Sequence, residues 1–152
     1  MAITTLEARR QILDDLATAI DQLALSLACL GEAHELLDID SADRLEADLF
    51  RPVQKAYGRG KRTYTGFASR VGLEARDVDS PSGAVSAEGV REFVTRAVGA
   101  AGAADRMIAE LQDSLLPIES GDAELRAGLS ETREFLAGLP AAAVVFLRSL
   151  GR

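Results

Sequence analysis

The chain has 152 residues, of which 47% are hydrophobic, a length and composition that argue against a disordered chain and against a second large core. It contains 13 glycines, four prolines and no tryptophan, which is unlike a collagen-like or loop-rich β protein. The formal net charge of −7 argues against a general nucleic-acid-binding or anionic-membrane surface. We therefore expect one all-α domain over residues 1–152.

The ends of the chain and its single cysteine suggest a compartment. The first 15 residues become charged before an apolar core of signal-peptide length appears. The longest uninterrupted apolar run, Ala141 to Leu147, is far shorter than the ~20 residues that span a bilayer. Cys29 has no internal disulfide partner and is expected in the core. These features predict a soluble cytoplasmic protein that does not bind membranes.

The first helix is predicted over residues 5–37, with Thr4 or Thr5 at its start. Positions at alternating spacings of three and four residues are apolar except for Arg9 and His34, a pattern typical of a bundle seam. The seam comprises Leu6, Arg9, Leu13, Leu16, Ile20, Leu23, Leu27, Leu30, His34 and Leu37.

The second helix is predicted over residues 41–71, after a cap at Asp40 or Ser41. Its apolar spacing continues across Pro52, so a kink near Leu49 is expected rather than a break. The seam comprises Phe50, Val53, Tyr57, Gly60, Tyr64, Phe67 and Val71. Residues 72–85 lose this periodicity and are rich in Gly, Ser, Asp and Pro, which predicts a long, mobile loop.

The third and fourth helices are predicted over residues 86–116 and 122–150. The third has mostly small residues in its middle, and the fourth is expected to kink near Pro140. Their seams comprise Val90, Val94, Ala97, Ala101, Ala104, Ile108, Leu111 and Leu115, then Leu125, Leu129, Thr132, Leu136, Leu139, Ala143, Phe146 and Leu150. Four segments of similar length predict an antiparallel up-down-up-down four-helix bundle.

In that layout the second and third helices are neighbours. Gly58 and Gly60 would then lie near Ala97 to Ala104 at mid-height. Close packing of the backbones is one interpretation, and a pocket for a small apolar ligand is the other. The pocket candidates are Tyr57, Gly60, Tyr64, Ala97 and Ala101.

The same layout gathers acidic residues at one end of the bundle. The turns between helices 1 and 2 and between helices 3 and 4 would lie together there, with half of the 24 acids near them. The predicted acidic end comprises Glu32, Glu35, Asp38, Asp40, Asp43, Glu46, Asp48, Glu110, Asp113, Glu119, Asp122 and Glu124.

A divalent cation is the only cofactor that this pattern suggests, since hard cations prefer converging oxygen ligands. The metal candidates are Glu32, His34, Glu35, Asp38 and Asp43. The spacing matches no calcium loop, and one histidine excludes a di-iron centre with two Glu-x-x-His pairs. Burial of His34 on the seam is the alternative interpretation.

A basic stripe runs along the second helix, formed by Arg51, Lys55, Arg59 and Arg62. Because the net charge is negative, we expect these residues to pair with acids on neighbouring helices, for example Asp14, Asp15 and Asp21 of the first helix, rather than with nucleic acid.

These observations favour a non-catalytic interaction or scaffold module that binds a protein partner or a second copy of itself. A metal-dependent protein that handles nucleotides or phosphates at the helix 1–2 turn is one alternative. A carrier of a small apolar ligand is the other.

Overall fold

The computed structural model describes residues 3–78, 85 and 87–150, and it is all-α throughout those ranges, as predicted. A π-helical segment, Glu46–Phe50, connects the second and third helices. The α-helices are α1 (Thr5–Glu35), α2 (Ile39–Leu45), α3 (Arg51–Val71), α4 (Val90–Asp113), α5 (Leu116–Glu119), α6 (Ala123–Leu136) and α7 (Leu139–Leu150).

Helix α1 is the central helix of the core. The Thr4 side chain caps it by accepting a hydrogen bond from the Glu7 N–H at 3.1 Å. Its buried face is wider than the predicted seam and includes Ser26, Cys29 and Ala33, whereas the predicted seam residue Leu6 is 47% exposed. The face is wide because α1 packs against both α3 and α4.

By length and composition, α1 is the one described helix that could cross a membrane. Half of its most apolar 18-residue window is buried inside the protein. This degree of burial is the pattern of a core helix, whose apolar side chains are covered by neighbouring helices.

At the position of the kink predicted before Pro52, the structure has the π-helical segment Glu46–Phe50. The Arg51 N–H donates to the Glu46 carbonyl, one residue further back than in an α-helix. Pro52 has no N–H to donate to a carbonyl of the preceding turn. The π-helical hydrogen bonds just before it keep the backbone helical from α2 into α3.

One predicted helix boundary is confirmed and another shifts. Helix α3 ends at Val71, as predicted, and Gly72 follows it in a left-handed conformation with φ of 70°. The third predicted helix begins at Val90 rather than residue 86, so the connection is longer than expected. Part of the predicted loop, residues 79–84, lies outside the described residues.

The fourth predicted helix is two helices. Helix α6 ends at Leu136 and α7 begins at Leu139, so an interruption at 137–138 replaces the predicted kink near Pro140. Pro140 cannot donate a hydrogen bond back to Leu136, and Gly138 lowers helix propensity just before it. The third predicted helix also ends early, at Asp113, and α5 follows it.

The four longest helices contact one another in two strong and two weaker pairs. Helix α1 packs along α4, and α3 packs along α6; α1 also contacts α3, and α4 contacts α6. The buried hydrophobic side chains form one cluster. Most seam residues predicted for α3, α4, α6 and α7 belong to it or pack against it, which confirms those parts of the pattern.

Contacts between individual side chains show whether the two helices of each pair are parallel or antiparallel. Ser26 Oγ donates to the Ala97 carbonyl at 2.7 Å, while Asp15, further back along α1, lies beside Glu110, further along α4. Helices α1 and α4 are therefore antiparallel. The pairs Arg59–Glu131 and Arg70–Asp122 show the same for α3 and α6.

Helices α3 and α4 consequently run in the same direction. Helix α3 is antiparallel to α1, as α4 is. Gly60 of α3 lies against Ile20 of α1, whereas Phe50, before the start of α3, shares a groove with His34, near the end of α1. This differs from the predicted up-down-up-down order. The connection after α3 must return along the length of the molecule before α4 begins.

The described part of that connection is held against α1 and α3. The Tyr64 hydroxyl accepts the Arg76 N–H at 2.9 Å, and the Tyr57 hydroxyl donates to the Val78 carbonyl at 2.9 Å. The Arg76 guanidinium also pairs with Asp21 of α1 at 2.7 Å. We call residues 73–78 the crossover segment, because they run back from the end of α3 toward its start.

Candidate functional site

The crossover places the two predicted acidic turns at opposite ends of the molecule. Arg9 Nε donates to the Ser120 carbonyl at 3.1 Å, which fixes α5 beside the start of α1. The α1–α2 turn lies at the other end, with the end of α1. The predicted single acidic end is therefore wrong, and the acids of residues 32–48 are separated from those of residues 110–124.

The predicted metal ligands do not converge. Within the described ranges, no group of three His, Cys, Asp or Glu side chains is placed to hold a metal ion. His34 is half-buried and lines a groove of about 250 Å³ with Gly31, Glu35, Glu46 and Phe50. Glu32, Asp38 and Asp43 are exposed and do not line this groove.

Asp38 instead caps α2. Its carboxylate accepts the Ser41 N–H at 2.8 Å, and this hydrogen bond lowers the pKa of the Asp38 carboxyl group below its ordinary value. Asp38 thus satisfies a free backbone donor at the helix start, which is a structural role.

The predicted mid-height pocket residues are placed on different packing surfaces. Tyr57 and Tyr64 bind the crossover segment through their hydroxyl groups. A Cβ at Gly60 would lie 3.3 Å from Ile20 Cγ1, so this glycine allows α3 to approach α1. Ala97 and Ala101 are buried on α4, where α1 packs. The two predicted walls are therefore not brought together.

One residue of the basic stripe of α3 forms the expected kind of pair with a neighbouring helix, although that helix is α6 and not α1. Arg59 contacts Glu131 of α6 at 3.5 Å, and Asp21 is taken by Arg76 of the crossover segment. Arg51, Lys55 and Arg62 are exposed. The expected pairing of the stripe with Asp14, Asp15 and Asp21 is not found in the described part of the chain.

The end of the molecule that contains α2 and α7 has an exposed apolar surface on α7. Helix α7 buries Leu139, Ala143 and Phe146 against the core. On its outer side Val144 is 48% exposed and Val145 is 67% exposed. An amphipathic helix normally turns polar residues outward, so this outer side is unusually apolar.

Two arginines flank the exposed valines. Arg44 of α2 and Arg148 of α7 line an open groove of about 470 Å³ with Val145 and Ser149. Arg44 donates to the Ser41 hydroxyl at 3.1 Å. Neither arginine lies within 4 Å of a described carboxylate, although Arg44 is near enough to Asp38 to contribute to the lowered pKa of that carboxyl group.

The neighbouring part of this end is apolar and acidic. Ile39 is 80% exposed and Leu36 is 59% exposed, and the exposed carboxylates Asp40 and Asp43 lie on α2 beside them. We call the whole region the α2-end surface. Its acidic half comprises Leu36, Ile39, Asp40 and Asp43; its basic half comprises Arg44, Val144, Val145 and Arg148.

The sequence contained a signal for this surface. The run Ala141 to Leu147 is apolar at seven consecutive positions, which is more than one buried stripe of a helix requires. The fold then places α7 at the end of the molecule that contains α2, where Arg44 and Val145 line one groove. The predicted up-down-up-down order would have placed the two helices at opposite ends.

Comparison of the chain with protein-family models, curated proteins and solved structures gives no significant match.

Proposed function

We propose that this chain is a non-catalytic protein-interaction module, a four-helix bundle with one long crossover connection. In this proposal α1, α3, α4 and the α6–α7 pair are the four helical segments, and the crossover replaces one of the short turns of an up-down-up-down bundle. The module acts in the cytoplasm and presents the α2-end surface to a protein.

The observation that carries the proposal is the outward exposure of Val144 and Val145. Contiguous apolar patches on a soluble protein mark contact surfaces more often than scattered apolar residues do. The flanking arginines suit such a surface, since arginine and apolar anchors are enriched in protein interfaces.

The free energy gained by burying the exposed apolar side chains of this surface can support an interface of moderate affinity. Full burial of Ile39, which is 80% exposed, and Val145, which is 67% exposed, would contribute about 2–4 kcal/mol, because a fully exposed large aliphatic side chain contributes about 1.5–3 kcal/mol. Association itself costs at least about 4 kcal/mol, so the adjacent valine, leucine and charged groups must also take part.

Site-specific photo-crosslinking in cells tests the proposal. A photoreactive amino acid replaces Val145 in the full chain, and the matched control places it at Ala127, an exposed position on α6. We expect a discrete protein adduct from position 145 and none from position 127.

Equal and diffuse labelling at the two positions would contradict the proposal. So would magnesium-dependent turnover of nucleotides by the purified chain that is abolished by Glu35→Ala.

A further inference from the structure

Resting on the proposed function, we propose that the partner is a second copy of this chain. In the pair, the acidic half of one α2-end surface binds the basic half of the other, and the reverse contact forms at the same time. The arrangement is a two-fold symmetric dimer.

Charge complementarity within one surface supports this choice of partner. Asp40 and Asp43 are exposed on α2, and Arg44 and Arg148 face the groove beside Val145. None of the four forms an intramolecular ion pair in the described residues. A second copy supplies opposite charges to both sets, and each contact is made twice.

The apolar groups follow the same division. Ile39 and Leu36 lie with the acids, and Val144 and Val145 lie with the arginines. When the acidic half of one copy binds the basic half of the other, Ile39 and Leu36 therefore contact the valines of the second copy, and the carboxylates pair with its arginines. A two-fold interface requires such a self-complementary patch, in which residue i contacts residue j and j contacts i.

The net charge of −7 disfavours contact between predominantly acidic surfaces of two copies, because like charges repel. On the α2-end surface Arg44 and Arg148 offset the charges of Asp40 and Asp43, which reduces that repulsion.

Sedimentation equilibrium of the purified full-length chain gives the first test. We expect a mass twice that of one chain at micromolar concentration, and at least a tenfold weaker association in the Val145→Asp variant. Ala127→Asp, which places the same charge on an exposed position of α6, is the control and is expected to remain a dimer. Circular dichroism confirms that both variants are folded.

A charge-exchange experiment tests the predicted contacts. One variant carries Arg44→Asp and Arg148→Asp, and the other carries Asp40→Arg and Asp43→Arg. Each variant alone would bring side chains of the same charge together at both contacts, so it is expected to be monomeric. Their equimolar mixture restores opposite charges at both contacts and is expected to form a heterodimer.

A monomeric wild-type chain throughout the micromolar range would overturn the self-association, and so would variants that dimerise alone or a mixture that stays monomeric. If position 145 nevertheless crosslinks to a different protein in cells, the proposed interaction module stands and only the second copy is rejected. No discrete adduct at all rejects the module itself.

Discussion

Gly128 of α6 lies against the side chain of Thr63 of α3 so closely that an added Cβ would come within 2.7 Å of Thr63 Cγ2. Thr63 is buried, and its hydroxyl donates to the Arg59 carbonyl at 2.8 Å. Thr132, one turn after Gly128, donates in the same way to the Gly128 carbonyl at 2.7 Å. The close approach of α3 and α6 therefore depends on the absence of a side chain at position 128.

Gly128→Ala is expected to lower the free energy of unfolding by about 1–3 kcal/mol, the usual cost of forcing an extra carbon into a packed interface. The control is Gly99→Ala on α4, where the added Cβ meets nothing within 4 Å. That change is expected to raise the free energy of unfolding by about 0.5–1 kcal/mol through helix propensity. Urea unfolding measures both, and equal effects would contradict the close approach.

Tyr64→Phe is expected to loosen the crossover segment. The substitution removes the hydroxyl that accepts the Arg76 N–H, so hydrogen exchange at that amide should accelerate. The expected loss of stability is about 0.5–1.5 kcal/mol, the net value of one hydrogen bond. Tyr57→Phe is the control, because Tyr57 donates to the Val78 carbonyl rather than to an amide.

In that control, exchange at the Arg76 amide should change much less than in Tyr64→Phe. Unchanged protection of the Arg76 amide in Tyr64→Phe would show that the crossover segment is held by other contacts.

Asp122→Asn is expected to destabilise the protein at neutral pH more than at pH 3. Hydrogen bonds from Arg70 at 2.7 and 2.9 Å lower the pKa of the Asp122 carboxyl group below its ordinary value near 3.8. A lowered pKa in the folded state contributes stability above the ordinary pKa, and this stability is lost as the pH falls through the folded value.

Denaturant unfolding at the two pH values measures the difference. Glu134→Gln, at an exposed carboxylate of α6 with no described ion pair, is the control and should have a small effect at both. A penalty for Asp122→Asn that grows toward pH 3 would refute the coupling to Arg70.

Leu115→Asn is expected to raise the melting temperature. Leu115 adopts φ of 67° between α4 and α5, the one described non-glycine residue with positive φ. A left-handed conformation costs a branched side chain roughly 1–2 kcal/mol, and asparagine tolerates it better. The side chain is 51% exposed, so little packing is lost. A lower melting temperature in thermal unfolding would show that the contacts of Leu115 outweigh its strain.

The sequence predicted the helical segments and most of the buried faces because both depend on local periodicity. Leu125, Leu129 and Leu136, for example, are buried at the predicted positions. The wider face of α1 was missed because a strict heptad seam describes one neighbour, whereas α1 packs against two helices.

The order of the helices depended on the connection after α3. Eighteen residues lie between Val71 and Val90, and at about 3.3 Å per residue they can span the roughly 32 Å length of α3. A composition rich in glycine and serine suggested a mobile loop, so the packing of Val78 and Arg76 was not anticipated. The candidate pocket and the single acidic end both followed from the wrong helix order.

The central claim is that α2 and α7 lie at the same end of the molecule, and one intramolecular distance tests it most directly. Spin labels are placed at the exposed positions Asp43 and Arg148 in a Cys29→Ala background, and the labelled chain is diluted with unlabelled chain to suppress intermolecular pairs. Electron–electron double resonance then measures the separation. We expect a distance of about 20 Å, because helix axes at one end of a bundle are spaced by about 8–10 Å. A distance of about 40 Å, the separation along the axis that an up-down-up-down order requires, would contradict it.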